Sequence, residues 1–159
     1  MSMKKVYTLT KEWQRSHAIK IVVCCPCCQR EIGYRLKLTP EMLDNVLFVS
    51  FTEGSRHWIE GTKILEDEYL GIYDCEQVSR GGRVLLYNRH DKGKYILDLE
   101  MLLTGFYIAV AKHLAISLYN GGEAETYMLN PKTCDEIVQY AVFGDIKYTT
   151  EESVGDVYD

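Results

Sequence analysis

Hydrophobic and polar positions change period several times along this chain, and each change predicts an element. Val6 and then Ile19, Ile21, Val22 and Val23 are β-formers, the last four leading into a run of cysteines. Beyond it, Ile32, Tyr34, Leu36 and Leu38 alternate with Gly33, Arg35 and Lys37. A period of two marks a strand, so this part predicts a β-hairpin turned by the cysteine cluster. Thr39-Pro40-Glu41 then opens a helix: Thr39 can cap it, Pro40 suits its first turn, and Glu41 favours its positive end. Met42, Leu43, Val46, Leu47 and Phe51 keep helical spacing until Gly54 stops it.

A short extended piece is expected at His57-Trp58-Ile59, followed by the acidic run Glu66-Asp67-Glu68. From Tyr69 to Val78 neither period holds. Gly81-Gly82 turns the chain into a strand at Arg83 to Tyr87, and Asp91-Lys92-Gly93 folds it back onto Tyr95-Ile96-Leu97. Asp98 can cap a helix whose apolar face holds Leu99, Leu102, Leu103, Phe106, Val110, Ala111 and Leu114. Gly121-Gly122 breaks the chain again. Asn130-Pro131 opens a last helix with Ile137, Val138, Ala141 and Val142 inward and Gly144 at its end, and Ile146 to Tyr148 suits a closing strand.

The order β-β-α, then β-β-α-α, predicts an α+β fold rather than alternating α/β units. Residues 1–38 would form an N-terminal β-hairpin module and residues 39–149 the main domain, an antiparallel sheet with about three helices. Residues 150–159 read as an acidic disordered tail. Composition agrees with a real core, 47% of the 159 residues being hydrophobic and 26% charged. No run nears the ~20 apolar residues of a membrane helix, and Met1 to Lys11 lack the apolar stretch of a secretory signal. A cytoplasmic protein is the expectation.

Charge is uneven. The first 50 residues carry eight Lys/Arg against four Asp/Glu, and the rest carry ten against nineteen. That suggests two working surfaces, but it is too mild to mark a DNA binder or a DNA mimic. Solvation of the surface accounts for most of these charges.

Chemistry concentrates in Cys24, Cys25, Cys27 and Cys28, four thiols in five residues around Pro26. In a reducing compartment such a cluster suggests metal binding or redox activity rather than a disulfide framework. Cys25-Pro26-Cys27-Cys28 has the C-P-x-C form of a zinc knuckle, whose tight turn aims two sulfurs at one metal between β-strands. A frame-shifted Cys24/Cys27 pair places Pro26 less favourably. Tetrahedral zinc wants four ligands and the chain holds one knuckle, so two more must come from elsewhere. His57 and Cys75 are favoured, with His17, Cys24, Cys134 and His90 behind them and zinc shared between two chains also open. A redox C-x-x-C stands at a helix N-terminus, whereas a strand follows here. Incidental buried thiols would not crowd in this way.

Other catalytic motifs are missing: there is no H-E-x-x-H, no G-x-x-x-x-G-K-[ST], no G-x-G-x-x-G and no nucleophile elbow. Gly81-Gly82 between Arg80 and Arg83 suits a turn better than a phosphate cradle.

From about Thr39 to Thr149 the chain resembles a family of small proteins of phages, plasmids and conjugative elements of gut Firmicutes. The resemblance is carried by residues 69–82 (YLGIYDCEQVSRGG), by Tyr95-Ile96-Leu97-Asp98-Leu99, and by residues 134–146 (CDEIVQYAVFGDI). No enzymatic activity comes with it. With its knuckle the chain also looks like a zinc-containing type II anti-CRISPR inhibitor. That likeness implies a partner, the type II CRISPR effector nuclease, whose target DNA loading or cleavage would be blocked. Such nucleases hold nucleic acid in basic channels, so Glu66, Asp67 and Glu68 would dock on basic protein surface, while zinc adds folding energy. The alternative is a nucleic-acid-binding accessory protein of a mobile element, using Lys4, Lys5, Lys11, Arg15, Lys20, Arg30, Arg35 and Lys37 around the knuckle.

Overall fold

A computed structural model of the chain describes residues 3–6, 17–24, 31–67, 69–119 and 129–150. Its architecture is α+β, with antiparallel sheets and helices segregated along the chain. Strand β1 (Met3–Val6) pairs with β2 (His17–Cys24), and β2 pairs with β3 (Glu31–Leu38) in a register running from His17 opposite Leu38 to Cys24 opposite Glu31. The expected pairing of these two strands is thus present, as β2 and the edge strand β3 of a three-stranded sheet in the order β1-β2-β3. Residues 25–30, which include Cys25, Cys27 and Cys28, lie outside the described residues.

Helix α1 (Pro40–Val49) starts as its local chemistry dictates, with Met42 N donating to Thr39 Oγ1 at 3.2 Å and Pro40 in the first turn. It does not stop at Val49 but widens into a π-helical turn over Ser50–Gly54. The chain next turns through Ser55 to Trp58, where an extended piece was expected, and enters β4 (Ile59–Ile64). Glu60, Thr62 and Lys63 give β4 little apolar signal, and the irregular register between Ile59 and Gly61 breaks what alternation remains. Strands β5 (Val84–Asn88) and β6 (Lys94–Leu97) complete the second sheet in the order β4-β5-β6. Along β5 the burial alternates, with Val84, Leu86 and Asn88 inward, so one face of this sheet meets the core.

Helix α2 (Leu99–Tyr119) opens on Asp98, whose Oδ1 accepts from Met101 N at 2.9 Å. Helix α3 (Pro131–Phe143) opens on a reciprocal cap: Asn130 Oδ1 accepts from Thr133 N and Thr133 Oγ1 accepts from Asn130 N, both at 2.9 Å. It ends at Gly144, whose φ of +77° is the left-handed conformation that glycine adopts freely. Where α2 crosses α3, Gly105 faces backbone, and any Cβ there would overlap the Ile137 carbonyl. The described residues hold three α-helices beside shorter π and 3-10 turns; the closing strand expected at Ile146 to Tyr148 is instead a strap without ladder pairing.

One buried cluster joins these parts. Leu38, Leu43, Val46, Leu47, Trp58, Leu86, Leu97, Leu102, Leu103, Phe106 and Ile137 are all sealed from solvent. Leu38, the last residue of β3, carries the first sheet into that core. No helix among the described residues is long and apolar enough to cross a membrane.

Candidate functional site

Two places stand out, one polar and inside, one apolar and outside. The inner one is built on α3, where Asp135 and Gln139 lie one turn apart on the buried face. Asp135 Oδ1 accepts from Ser55 Oγ at 2.7 Å and Trp58 Nε1 at 2.8 Å, and Oδ2 accepts from Gln139 Nε2 at 2.9 Å. Ser50 and Ser55 share a further hydroxyl bond. Gln139 then pins the strap: its Oε1 accepts from Lys147 N at 2.8 Å and Tyr148 N at 2.9 Å, and its Nε2 donates to Tyr148 O at 2.8 Å. Asn88 Nδ2 donates to Tyr148 Oη, and the His90 ring stacks on Tyr148 at 4.5 Å between centroids.

Ser55, His57 and Asp135 meet here, yet not as a catalytic relay. In a relay the imidazole stands between hydroxyl and carboxylate. Here Ser55 bonds to the carboxylate itself, and His57 Nε2 lies 3.5 Å from Asp135 Oδ2 without a hydrogen bond. Burial raises the Asp135 carboxyl above its ordinary pKa, against the lowering effect of its three donors. Cys75 and Cys134 are buried free thiols, each pushed up to about 11 chiefly by burial. Both are protonated at neutral pH, the wrong state for a nucleophile. The inner centre joins α3, the strap and the Ser55 turn into one unit.

The outer place is made by α1 and the segment 69–73. Six large apolar side chains are exposed among the described residues, and five of them are here: Ile72 at 73%, Tyr69 at 65%, Tyr73 at 63%, Phe48 at 54%, and Leu70. The backbone beneath them is held. Gln77, itself fully buried, uses its Oε1 to accept from Leu70 N at 2.6 Å and Gly71 N at 3.2 Å. Glu76 Oε2 accepts from Ile72 N at 3.1 Å, and Asp74 accepts from Thr62 Oγ1 on β4. Two short 3-10 turns, Asp74–Glu76 and Val78–Arg80, close the segment against α1. Side-chain-to-backbone bonds leave no hydrophobic period in the sequence, which is why no element is predicted over Tyr69 to Val78.

Tyr73 walls three adjoining clefts. One of about 320 Å³ is lined by Glu41, Asp44, Asn45, Phe48, Tyr73, Cys75 and Glu76. A second of about 200 Å³ lies between Phe48, Phe51, Thr52, Tyr73, Asp74 and Cys75. A third of about 550 Å³ runs along Thr62, Lys63 and Ile64 of β4 beneath Tyr69, Ile72 and Tyr73. Acids rim the first: Asp44 accepts from Ser79 Oγ, and Arg80 Nη1 stands 3.5 Å from both Asp44 and Glu76. Burial, its largest influence, holds the Asp44 carboxyl above its ordinary pKa.

The chain matches no family model, no curated protein and no solved structure.

The residues singled out from sequence are spread over the molecule. Cys24 ends β2, whereas Cys25, Cys27, Cys28 and Glu68 lie outside the described residues. His57 sits beside Asp135, with its carbonyl 2.9 Å from His90 Nε2, while Cys75 lines the clefts at Tyr73. Among the described residues no group of three or more His, Cys, Asp and Glu is arranged to hold a metal ion. Glu66 is engaged at home: its Oε2 accepts from Arg83 N at 2.9 Å and its Oε1 from Arg83 Nε at 3.0 Å, and these bonds hold its carboxyl below the usual range. Asp67 is exposed. Sequence reasoning missed Phe48, Asp135 and Gln139; the last two were marked by polar residues four apart on an otherwise apolar helix face.

Proposed function

We propose that this protein works by binding a protein partner through the apolar face around Tyr73. A single observation carries the reading: five large apolar side chains stay exposed on a backbone that hydrogen bonds hold in place. Solitary exposed apolar residues are ordinary on protein surfaces, but a contiguous patch rimmed by polar groups marks an interaction site. Tyrosine and phenylalanine are also the residue types that interface centres favour.

The partner implied by the sequence resemblance is the type II CRISPR effector nuclease, making the chain an inhibitor of DNA loading or cleavage. An acid-rimmed docking face suits the basic surfaces of such a nuclease. In this reading Cys25 and Cys28, with Cys24 and Cys27 beside them, hold zinc as a stabilising staple of the first sheet. Zinc there supplies folding energy and takes no part in chemistry.

The test is a cleavage assay with a guide-loaded type II nuclease and its target DNA, run beside a binding measurement. The wild-type chain is expected to bind the nuclease and slow cleavage, and the Phe48→Ala/Ile72→Ser pair is expected to lose both. Equal inhibition by the pair would overturn the assignment of the face. Retention on DNA without the nuclease, weakening steeply with salt, would favour a nucleic-acid-binding accessory protein instead. Zinc counted per chain before and after Cys25→Ser/Cys28→Ser tests the staple.

A further inference from the structure

Resting on the protein-binding reading, we propose that the two smaller clefts flanking Tyr73 recognise a partner segment in which a Lys or Arg stands beside a large apolar residue. The two clefts share the walls made by Phe48, Tyr73 and Cys75, so their occupants must be close neighbours. Their linings differ in chemistry. The 200 Å³ cleft is enclosed mainly by the rings of Phe48, Phe51 and Tyr73, and a cavity of about 150 Å³ already holds a benzene ring. One aromatic or branched side chain fits it.

The 320 Å³ cleft carries Glu41, Asp44 and Glu76 on its lining. Arg80 is the cation paired with two of them, at 3.5 Å in each case, and its own side chain is well exposed. Its Nη1 donates to the Glu76 carbonyl at 2.8 Å and meets the carboxylates only at the longer distance, so three carboxylates against one guanidinium leave a negative lining that a second cation complements. These carboxylates do not converge as a metal site does, so an extended cation, a guanidinium or an ammonium on a flexible stem, suits them better than an ion. The third cleft continues the surface past Tyr73 along β4. A run of clefts longer than one side chain calls for a polypeptide rather than a small molecule.

The experiment measures binding of fluorescent peptides to the full chain. The probes are neutral Gly/Ser peptides carrying Arg-Phe, Phe-Arg, Glu-Phe or Arg-Ser at the centre. At least one of the two Arg/Phe orders is expected to bind about tenfold more tightly than Glu-Phe or Arg-Ser. High salt and Glu41→Gln should each weaken it several-fold, while Asp145→Asn, at an exposed acid past α3 that lines none of these clefts, leaves it unchanged. Equal affinity for the Glu-Phe peptide, or no binding by either Arg/Phe order, overturns the proposal. The broader reading fails separately. If Phe48→Ala abolishes nuclease binding while Glu41→Lys and salt do not affect it, the face is right and the two-cleft specificity is wrong. Arg/Phe peptides that bind, lose affinity on Glu41→Gln, and meet no response from the nuclease uphold the specificity and reject that partner.

Discussion

The centre around Asp135 and the face around Tyr73 break the same rule in opposite directions. One buries polar groups, and the other exposes apolar ones. What separates them is how far each is satisfied within the chain. At Asp135 both carboxylate oxygens, the Trp58 indole N–H and both ends of the Gln139 amide have partners, so the desolvation cost is offset internally. At Tyr73 the backbone is satisfied but the side chains are not covered. A buried polar network that closes on itself is architecture; an apolar surface that a held backbone keeps open awaits something from outside.

The largest expected effect tests the first half of that contrast. Asp135→Ala takes from Ser55 Oγ, Trp58 Nε1 and Gln139 Nε2 the carboxylate that accepts from each of them. A buried donor left unsatisfied costs about 1–3 kcal/mol; with Trp58 Nε1 wholly unpaired, and Ser55 and Gln139 keeping only Ser50 and Tyr148, stability should fall by about 3 kcal/mol in urea unfolding. An unchanged midpoint would show that water already reaches the centre. Gln139→Ala comes next at about 2 kcal/mol, because it releases the strap as well as one Asp135 bond. Its distinguishing mark is local: amide exchange at Lys147 and Tyr148 should quicken well before the core does.

The second half predicts the reverse pattern. Phe48→Ala/Ile72→Ser removes side chains that are more than half exposed, so the change in stability should stay within about 0.5 kcal/mol while partner binding disappears. A large loss of stability would mean that the face is a poorly sealed piece of core, and the contrast would collapse.

How much of this was legible beforehand depends on the range of the interactions. Helix starts at Thr39, Asp98 and Asn130 are written within four residues, and each cap forms as read. Strand β4 was reached only at its first residue, Ile59, because Glu60, Gly61, Thr62 and Lys63 show no apolar alternation; its place is set by pairing with β5 some two dozen residues away. The strap at Ile146 to Tyr148 looks like a strand from its side chains, but Gln139 takes the backbone groups that a ladder would need. Tyr69 to Tyr73 carried no period at all, since Gln77 and Glu76 hold that backbone with side chains. The site is harder still, because Phe48 and Tyr73 become neighbours only when α1 and the segment after β4 pack together.

The smallest effect concerns Asp44, which belongs to both worlds, being half-buried beneath an acidic cleft. Burial raises its carboxyl above the ordinary 3.8, outweighing the Ser79 hydroxyl and Arg80, which lower it. A raised carboxyl has a definite sign. Below about pH 4 the folded and unfolded chains both carry the proton, and nothing is lost. As pH climbs above that value the unfolded chain ionises first, so this group's contribution turns against the fold until the native carboxyl ionises too. Asp44→Asn keeps an acceptor for Ser79 and removes the titration. The variant should therefore lose less stability than wild type between pH 4 and neutrality, measured as paired urea midpoints. The same variant should weaken a basic partner segment, because the cleft loses one of its three carboxylates. A steeper loss in Asp44→Asn than in wild type would mean that Arg80 outweighs burial, that the carboxylate is already neutralised from within, and that the cleft has less need of a second cation.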